Sequence, residues 1–393
     1  MRTEFLYLLS SYLPMLARVS VKLKLPVTTE LSATCRAYQK ALQHCIDIAW
    51  SKQIKNNVQL HPYVYTAIRS EFKLPAQLAI SCIKQAAGMV KKAKSKPLLE
   101  RVSVRYNFPR SAGMRNEVLT LRTLTKRNRY PLTIPPIFQE YFSSWDLCES
   151  LLRIDKKGRC FFIFCFSKEI IPTISNSPSV LGIDLGIHNL AVTSSGRFFN
   201  SHKVKQAKRK FTYLRSTLQA KGTRSAKKLL RKLSGRETRY MTWVNHNISK
   251  TIVSGSNATT VVLENLKGIR QRNRGTKMNH WIGNWSFFQL QFFLQYKAER
   301  LGVTVTKVNP QFTSQLCHRC GKIGIRDRAR FCCILCGVQN YSADLNAARN
   351  LSHPKLGERQ AAVNQPHIPN YERTVREFRD NLMGKRVMPQ SLL

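Results

Sequence analysis

Acidic residues are scarce in this sequence: 21 Asp and Glu stand against 65 Lys and Arg in 393 residues, a formal net charge of +44. That shortage excludes most binders of cationic partners and most small-molecule enzymes, and self-repulsion on this scale calls for a large polyanionic partner, nucleic acid first. A disulfide framework is also missing. The eleven cysteines are an odd number; five fall between Cys317 and Cys336, while Cys35, Cys45, Cys82, Cys148, Cys160 and Cys165 lie scattered in apolar settings as free thiols. No apolar run is long enough to span a bilayer, since Phe5–Leu9 and Tyr12–Leu16 are short and interrupted. Glu4, Pro14 and the lack of an A-x-A site before Arg18 argue against a secretory leader. The expected location is therefore cytoplasmic and nucleoid-associated, away from membranes. No internal repeat is present. The hydrophobic fraction of 43% and aromatic fraction of 9% are those of folded protein, and at roughly 100–200 residues per domain the length predicts two or three domains.

Hydrophobic periodicity divides the chain. Val19, Val21, Leu23 and Leu25 alternate with Arg18, Ser20, Lys22 and Lys24, which predicts a half-buried basic strand ended by Pro26. Thr28 or Thr29 then reads as an N-cap, and Leu31, Cys35, Tyr38, Leu42, Cys45 and Ala49 recur at helical spacing. A second helical block spans 76–93. Strand character returns at Val102, Val104, Tyr106 and Phe108, and a hairpin is predicted about Lys156-Lys157-Gly158. Residues 172–179 read as a linker, 180–184 and 189–193 as paired strands, 197–199 as a third. Lys203 to Arg239 holds fourteen basic residues and one acid, with Val204, Ala207, Phe211, Leu214 and Leu218 forming an apolar seam. So one-sided a charge run favours phosphate contact over a merely solvated face, with Lys203, Lys205, Lys208, Arg209, Lys210 and Arg215 as the candidate contacts.

Cys317-His318-Arg319-Cys320-Gly321 and Cys333-Ile334-Leu335-Cys336-Gly337 are two C-x-x-C-G knuckles separated by twelve residues. Each tight turn aims two thiolates at one point, and glycine permits the left-handed backbone the turn needs. Cys317, Cys320, Cys333 and Cys336 thus predict one closed, structural Zn²⁺ site. Cys332 would make the poorer C-x-x-x-C and reads as a bystander; His318 could compete as a ligand, but the four cysteines fill the shell.

Three acids stand inside apolar segments: Asp184 in L-G-I-D-L-G-I, Glu264 in T-V-V-L-E-N-L, and Asp344 in A-D-L-N-A-A-R-N-L. A carboxylate buried unpaired is costly, so such acids have a reason. Singly, each could pair with an arginine. Together they predict a site for two Mg²⁺ ions that activate water and hold a scissile phosphate.

The segments G-I-D-L-G-I-H-N-L-A (182–191), V-V-L-E-N-L (261–266) and A-D-L-N-A-A-R-N-L (343–351), with T-S-Q-L-C-H-R-C-G (313–321) and F-C-C-I-L-C-G (331–337), resemble the split RuvC nuclease of the TnpB family. These are RNA-guided endonucleases of insertion sequences, related to compact type V CRISPR effectors. The resemblance is specific over 180–352. It implies an α/β plus β chain: an RNase H-like (RuvC) domain at 173–310 and 343–356 with an inserted four-cysteine zinc ribbon at 311–342. Ahead of it would stand a wedge-type β-barrel at 18–30 and 97–172, interrupted by a helical recognition lobe at 31–96. Residues 1–17 would be an N-terminal extension and 357–393 a flexible tail. It further implies Asp184, Glu264 and Asp344 as catalytic Mg²⁺ ligands, and a guide RNA and double-stranded target DNA with a short flanking motif as partners. The sequence departs from many relatives in having no second acid at 338–343, beside Asp344. The implied activity is RNA-guided DNA cleavage for a transposable element. The rivals are a guide-dependent binder that has lost cleavage, a CRISPR-associated effector, a junction resolvase and a transposase.

Overall fold

A computed structural model describes residues 14–101, 103–172, 179–266 and 286–363. Residues 1–13 of the expected extension at 1–17, Val102 of the predicted strand, the linker residues 173–178 and the tail from 364 lie outside the described residues, while Met15, Leu16 and Ala17 of that extension already belong to the first strand. Leu16–Glu169 forms one compact unit, and the described residues from Ile170 onward form a second.

In the first unit, β1 (Met15–Leu25) buries Ala17, Val21, Leu23 and Leu25 and turns Arg18, Ser20, Lys22 and Lys24 to solvent. The alternation follows from the pleat. Pro26 ends the strand, and the Thr28 side chain accepts from the Leu31 N–H to start α1 (Thr29–Ser51). Next come α2 (Asn57–Ser70), capped by Asn56, and α3 (Ala76–Lys92). The Tyr38 hydroxyl donates to Gln85 Oε1 at 3.0 Å, tying α1 to α3. The chain returns as β2 (Ser103–Tyr106), β3 (Ala112–Arg115), β4 (Val118–Arg122) and β5 (Arg127–Pro131). A short α4 (Gln139–Ser144), β6 (Asp146–Leu147), β7 (Ser150–Ile154) and β8 (Cys160–Ile170) complete the unit. Gly158, at φ +74°, supplies the left-handed residue of the β7–β8 hairpin.

One sheet runs β1-β8-β7-β2, with β6 also on β8, and a second runs β3-β4-β5. A closed barrel was expected here; among the described residues none forms. The turn at Asn107–Ala112, where the Ser111 and Ala112 N–H groups both return to the Asn107 carbonyl, sends the chain into a separate sheet. That leaves β2 paired with β7 alone and the first sheet open.

The second unit starts with an antiparallel meander of β9 (Val180–Asp184), β10 (Asn189–Thr193) and β11 (Phe198–Asn200). Two helices follow, α5 (His202–Lys221) and α6 (Arg224–Ser254). Gly222 at φ +62° stops the first, and the Thr223 hydroxyl caps the second at Ala226. Then come β12 (Thr260–Glu264), α7 (Phe287–Arg300) and β13 (Thr304–Val308). The sheet order is β11-β10-β9-β12-β13, with β12 parallel to both of its neighbours. Alternate residues face opposite ways. Leu181, Ile183, Val261 and Leu263 join Met241, Val244, Ile248, Ile252, Leu290 and Leu294 of α6 and α7. Val180 and Val262 pack on the other side with Leu316, Leu351 and Leu356. The rest of the unit is a three-stranded sheet of β14 (Ile325–Asp327), β15 (Arg330–Cys333) and β16 (Val338–Ser342), then α8 (Ala343–Leu351) and α9 (Leu356–Val363).

A flexible tail was expected from 357, yet α9 is docked. Leu356 is buried, Arg359 donates to the His318 and Arg319 carbonyls, and Gln360 donates to those of Asn309 and Gln311. Its anchors are main-chain carbonyls distant in sequence, invisible to periodicity.

Candidate acid cluster and cysteine knuckles

Asp184 and Glu264 close adjacent parallel strands. Leu263 is in register with Ile183, so the next residue on each strand is a carboxylate, side by side at the carboxyl ends. Crevices at such strand ends are the usual ligand sites of open α/β sheets. Asp344 joins them from the first turn of α8, which the Ser342 hydroxyl caps at the Leu345 N–H. Helix α8 lies tight on β9 because residue 182 has no side chain. A Cβ there would meet the Ala348 carbonyl oxygen at 2.0 Å and the Ser352 nitrogen at 2.6 Å.

The acids repel one another. Burial first, then the charges of Glu264 and Asp344, push the Asp184 carboxyl well above the ordinary carboxylate range, against the pull of Arg326. Burial raises Glu264 too, opposed by the Thr313 hydroxyl and by Arg326. The Thr313 hydroxyl donates to Glu264 Oε1 at 2.5 Å, and Asn189 Nδ2 donates to Asp344 Oδ2 at 2.8 Å. Arg326 of β14 approaches Asp344 Oδ1 at 3.6 Å. Gln291 of α7 donates to the Glu264 carbonyl at 2.7 Å. A buried anionic cluster with one guanidinium at its edge is a donor set suited to hard divalent cations.

The four knuckle cysteines come together. Among the described residues they are the set whose ligand atoms all lie within 4.8 Å of one another. Cys317 and Cys336 Sγ are 3.4 Å apart, Cys320 and Cys333 Sγ 3.6 Å. A tetrahedron with ~2.3 Å zinc–sulfur bonds has edges of ~3.8 Å, so the sulfurs fit one zinc ion. Burial pushes the Cys317 and Cys333 thiols up, so holding thiolates there calls for a cation. Gly321 and Gly337, at φ +72° and +70°, occupy the left-handed positions after each knuckle. Cys332 stays outside the cluster. His318 is engaged elsewhere: its backbone N–H and Nδ1 both meet Asn346 Oδ1 at 3.0 Å, and its ring stacks on Tyr341.

Several residues of the site carry no advance signal. Asn346 and Asn350 are fully buried and donate to the Leu316 carbonyl at 2.7 and 2.6 Å; Asn350 also reaches that of Thr313. Their i, i+4 spacing, two and six residues after Asp344, was the available clue. Arg326 had none, and Thr313 opens one of the quoted motifs without any local sign that it meets Glu264.

The basic run behaves differently from expectation at two positions. Lys208 is only 6% exposed, its ammonium disfavoured by burial and offset by the Glu237 charge; Arg215 pairs with that same Glu237. Both side chains serve the α5–α6 contact. Lys203, Arg209 and Lys210 are exposed and Lys205 is half-buried.

A family model described as the Cas12f1-like TNB domain matches residues 287–351, and one described as a probable transposase matches 164–269. A TnpB-like protein of Methanocaldococcus jannaschii is 30% identical over 174 residues, 40% of this chain and 62% of its own. Over these stretches the chain is similar to the TnpB family. The first of the matched stretches takes in both knuckles and Asp344, the second Asp184 and Glu264. Within the wider group, the CRISPR-associated endodeoxyribonuclease Cas12f1 of Sulfoacidibacillus thermotolerans is 28% identical over 228 residues, 52% of this chain and 53% of its own. The chain thus matches about half the length of the curated nuclease. The solved Cas12f1–sgRNA–target DNA complex shares the fold, with a TM-score of 0.59 at 16% identity over 83% of this chain and 81% of that one.

Proposed function

We propose that this chain is an RNA-guided DNA endonuclease of a transposable element, with an RNase H-like RuvC domain that hydrolyses target phosphodiesters at Asp184, Glu264 and Asp344. One observation carries the reading: two carboxylates end adjacent, in-register parallel strands, and a third is brought to them by a helix seated on Gly182. The strand order β11-β10-β9-β12-β13, an antiparallel meander continued by two parallel strands, supports the RNase H-like assignment. Asp184, Glu264 and Asp344 would hold Mg²⁺, which when bound supplies a Lewis acid and a low-pKa water for attack on phosphorus. Thr313 orients Glu264 and opposes the rise that burial imposes on its carboxyl; Asn189 orients one oxygen of Asp344. Arg326 provides the positive charge that offsets the cluster before a metal enters. Cys317, Cys320, Cys333 and Cys336 would hold a structural zinc with no open position for chemistry.

Guide RNA and target DNA as partners are supported by the net charge of +44 and by the fold shared with the Cas12f1 complex that holds both. The test pairs two measurements. RNA that co-purifies with the protein is sequenced, and the complex is then assayed on matched duplex DNA with Mg²⁺. A discrete RNA species and cleavage lost in Asp184→Ala, with DNA binding intact, is the expected result. Near wild-type cutting by Asp184→Ala would overturn the assignment of the acids, and absence of any bound RNA would overturn the guided reading.

A further inference from the structure

The solvent face of α6 and α7 is aromatic where a basic, polar chain should place charge. Phe288 and Phe292 of α7, one turn apart, are 78% and 54% exposed, and Trp243 of α6 is 62% exposed. Trp243 and Phe292 each have an aromatic neighbour. Tyr240 stacks with Trp243 at 6.2 Å between centroids and 29°, and Phe292 lies 5.6 Å from Tyr296. Between these pairs, exposed His246 stacks on Phe293 at 3.9 Å and 18°. The two helices are locked together at this place. Lys297 Nζ donates to the His246 carbonyl and to Ser249 Oγ, both at 2.7 Å, and Asn245 Nδ2 donates to Ser286 Oγ and Gln289 Oε1. The rings are therefore held out from a fixed base, with exposed Arg236, Arg239 and Lys250 along the same helix.

Exposed large apolar groups in a contiguous set mark an interaction surface. A second copy of the chain is a poor occupant, because it would bring +44 against +44. A DNA duplex presents phosphates but hides the faces of its bases. Single-stranded nucleic acid offers both a polyanionic backbone and flat π-faces, the combination that aromatic rings set among cations receive. We infer that the Tyr240–Trp243 and Phe292–Tyr296 ridge is a stacking platform for unpaired DNA bases. DNA is specified because α7 is bonded through Gln291 to the carbonyl of Glu264, so a strand on its outer face lies on the helix that braces the acid cluster. The inference thus rests on the nuclease reading for its choice of strand, though not on cleavage itself.

The experiment measures binding of labelled oligothymidylate, of an abasic chain of equal length, and of oligouridylate, in zinc-containing buffer without Mg²⁺. The proteins are wild type, Trp243→Ala/Phe292→Ala and the conservative Trp243→Tyr/Phe292→Tyr. These side chains are exposed, so the variants keep their fold, which circular dichroism and zinc content verify. The alanine pair should weaken oligothymidylate binding about 5–150-fold for each base that loses its stack. It should leave abasic binding and the salt slope unchanged, and the tyrosine pair should restore affinity. Equal wild-type affinity for abasic and thymidylate chains would overturn the inference. So would a loss confined to oligouridylate, or a change in sedimentation with DNA affinity unaltered, which would mark the ridge as a self-association face. A protein that fails to cut but shows the thymidylate-specific loss retains the platform and refutes only the catalytic reading.

Discussion

Asp184 is held where it is least comfortable. Its carboxyl is raised by burial and by two neighbouring acids, so the folded state binds its proton more tightly than the unfolded chain does. Folding stability from this group is therefore fully present below the ordinary carboxylate range and lost as pH climbs through the raised value. At neutral pH without metal the buried carboxyl is therefore a liability. Asp184→Asn should then raise the melting temperature of the metal-free protein, by about 1 °C for each kcal/mol relieved in a chain of 393 residues, while abolishing cleavage. Thermal scans with and without Mg²⁺ check it: the ion should stabilise wild type and do much less for the variant. Thr313 works in the opposite sense, because its hydroxyl favours the ionised form of Glu264. Removing it in Thr313→Val should push Glu264 further up and move the acid limb of the pH–rate profile to higher pH. An unshifted limb would show that the bond orients the carboxylate without tuning it.

Between elements, the close seat of α8 on β9 decides whether the third acid reaches the other two. Gly182→Ala forces a methyl into the Ala348 carbonyl and the Ser352 amide, both main-chain atoms that cannot swing aside. Denaturant unfolding should show a loss of about 1–3 kcal/mol or more, and cleavage should fall although every acid is intact. The knuckles act on the same helix. Asn346 and Asn350 clasp the Leu316 carbonyl just before Cys317, so Cys336→Ser should lower zinc content and cleavage together. Elemental analysis beside the nuclease assay tests that coupling. Much of this was legible beforehand. Strand β1 follows from two-residue alternation, β9 and β10 from their short apolar runs, Thr28 from its cap position, and the cysteine set from its spacing. The clasp was not, because asparagines on a helix look like surface until their carbonyl partners are placed. Nor was Arg326, one cation among 65 with nothing local to single it out. Lys208 misled for a related reason: periodicity marked the apolar seam but not the lysine that flanks it, which Glu237 draws inward.

At the scale of the whole molecule, charge sets how the protein meets its partners. Lys203, Arg209 and Lys210 are the exposed members of the basic run on α5. Replacing all three with Gln should weaken binding to every nucleic-acid sequence alike. It should also flatten the slope of log K against log salt by up to about 2.7 units, at ~0.9 for each duplex phosphate no longer neutralised. Lys208→Gln should leave that slope alone and instead lower stability by loosening α5 from α6. No helix among the described residues is long and apolar enough to cross a membrane.

The order of the acids along the chain has a consequence in time. Asp184 and Glu264 are made well before Asp344, whose helix follows the last knuckle. At ~5–20 residues per second, the stretch from Glu264 to Asp344 takes about 4–16 s to synthesise. Throughout that interval the nascent chain already displays its basic helices and can engage nucleic acid, but the acid set is incomplete. A message broken between the end of α6 and codon 344 yields, on the proposed reading, a chain that keeps its basic helices and lacks the third acid. On that reading binding can begin early in synthesis, while cleavage waits for the residue supplied by α8.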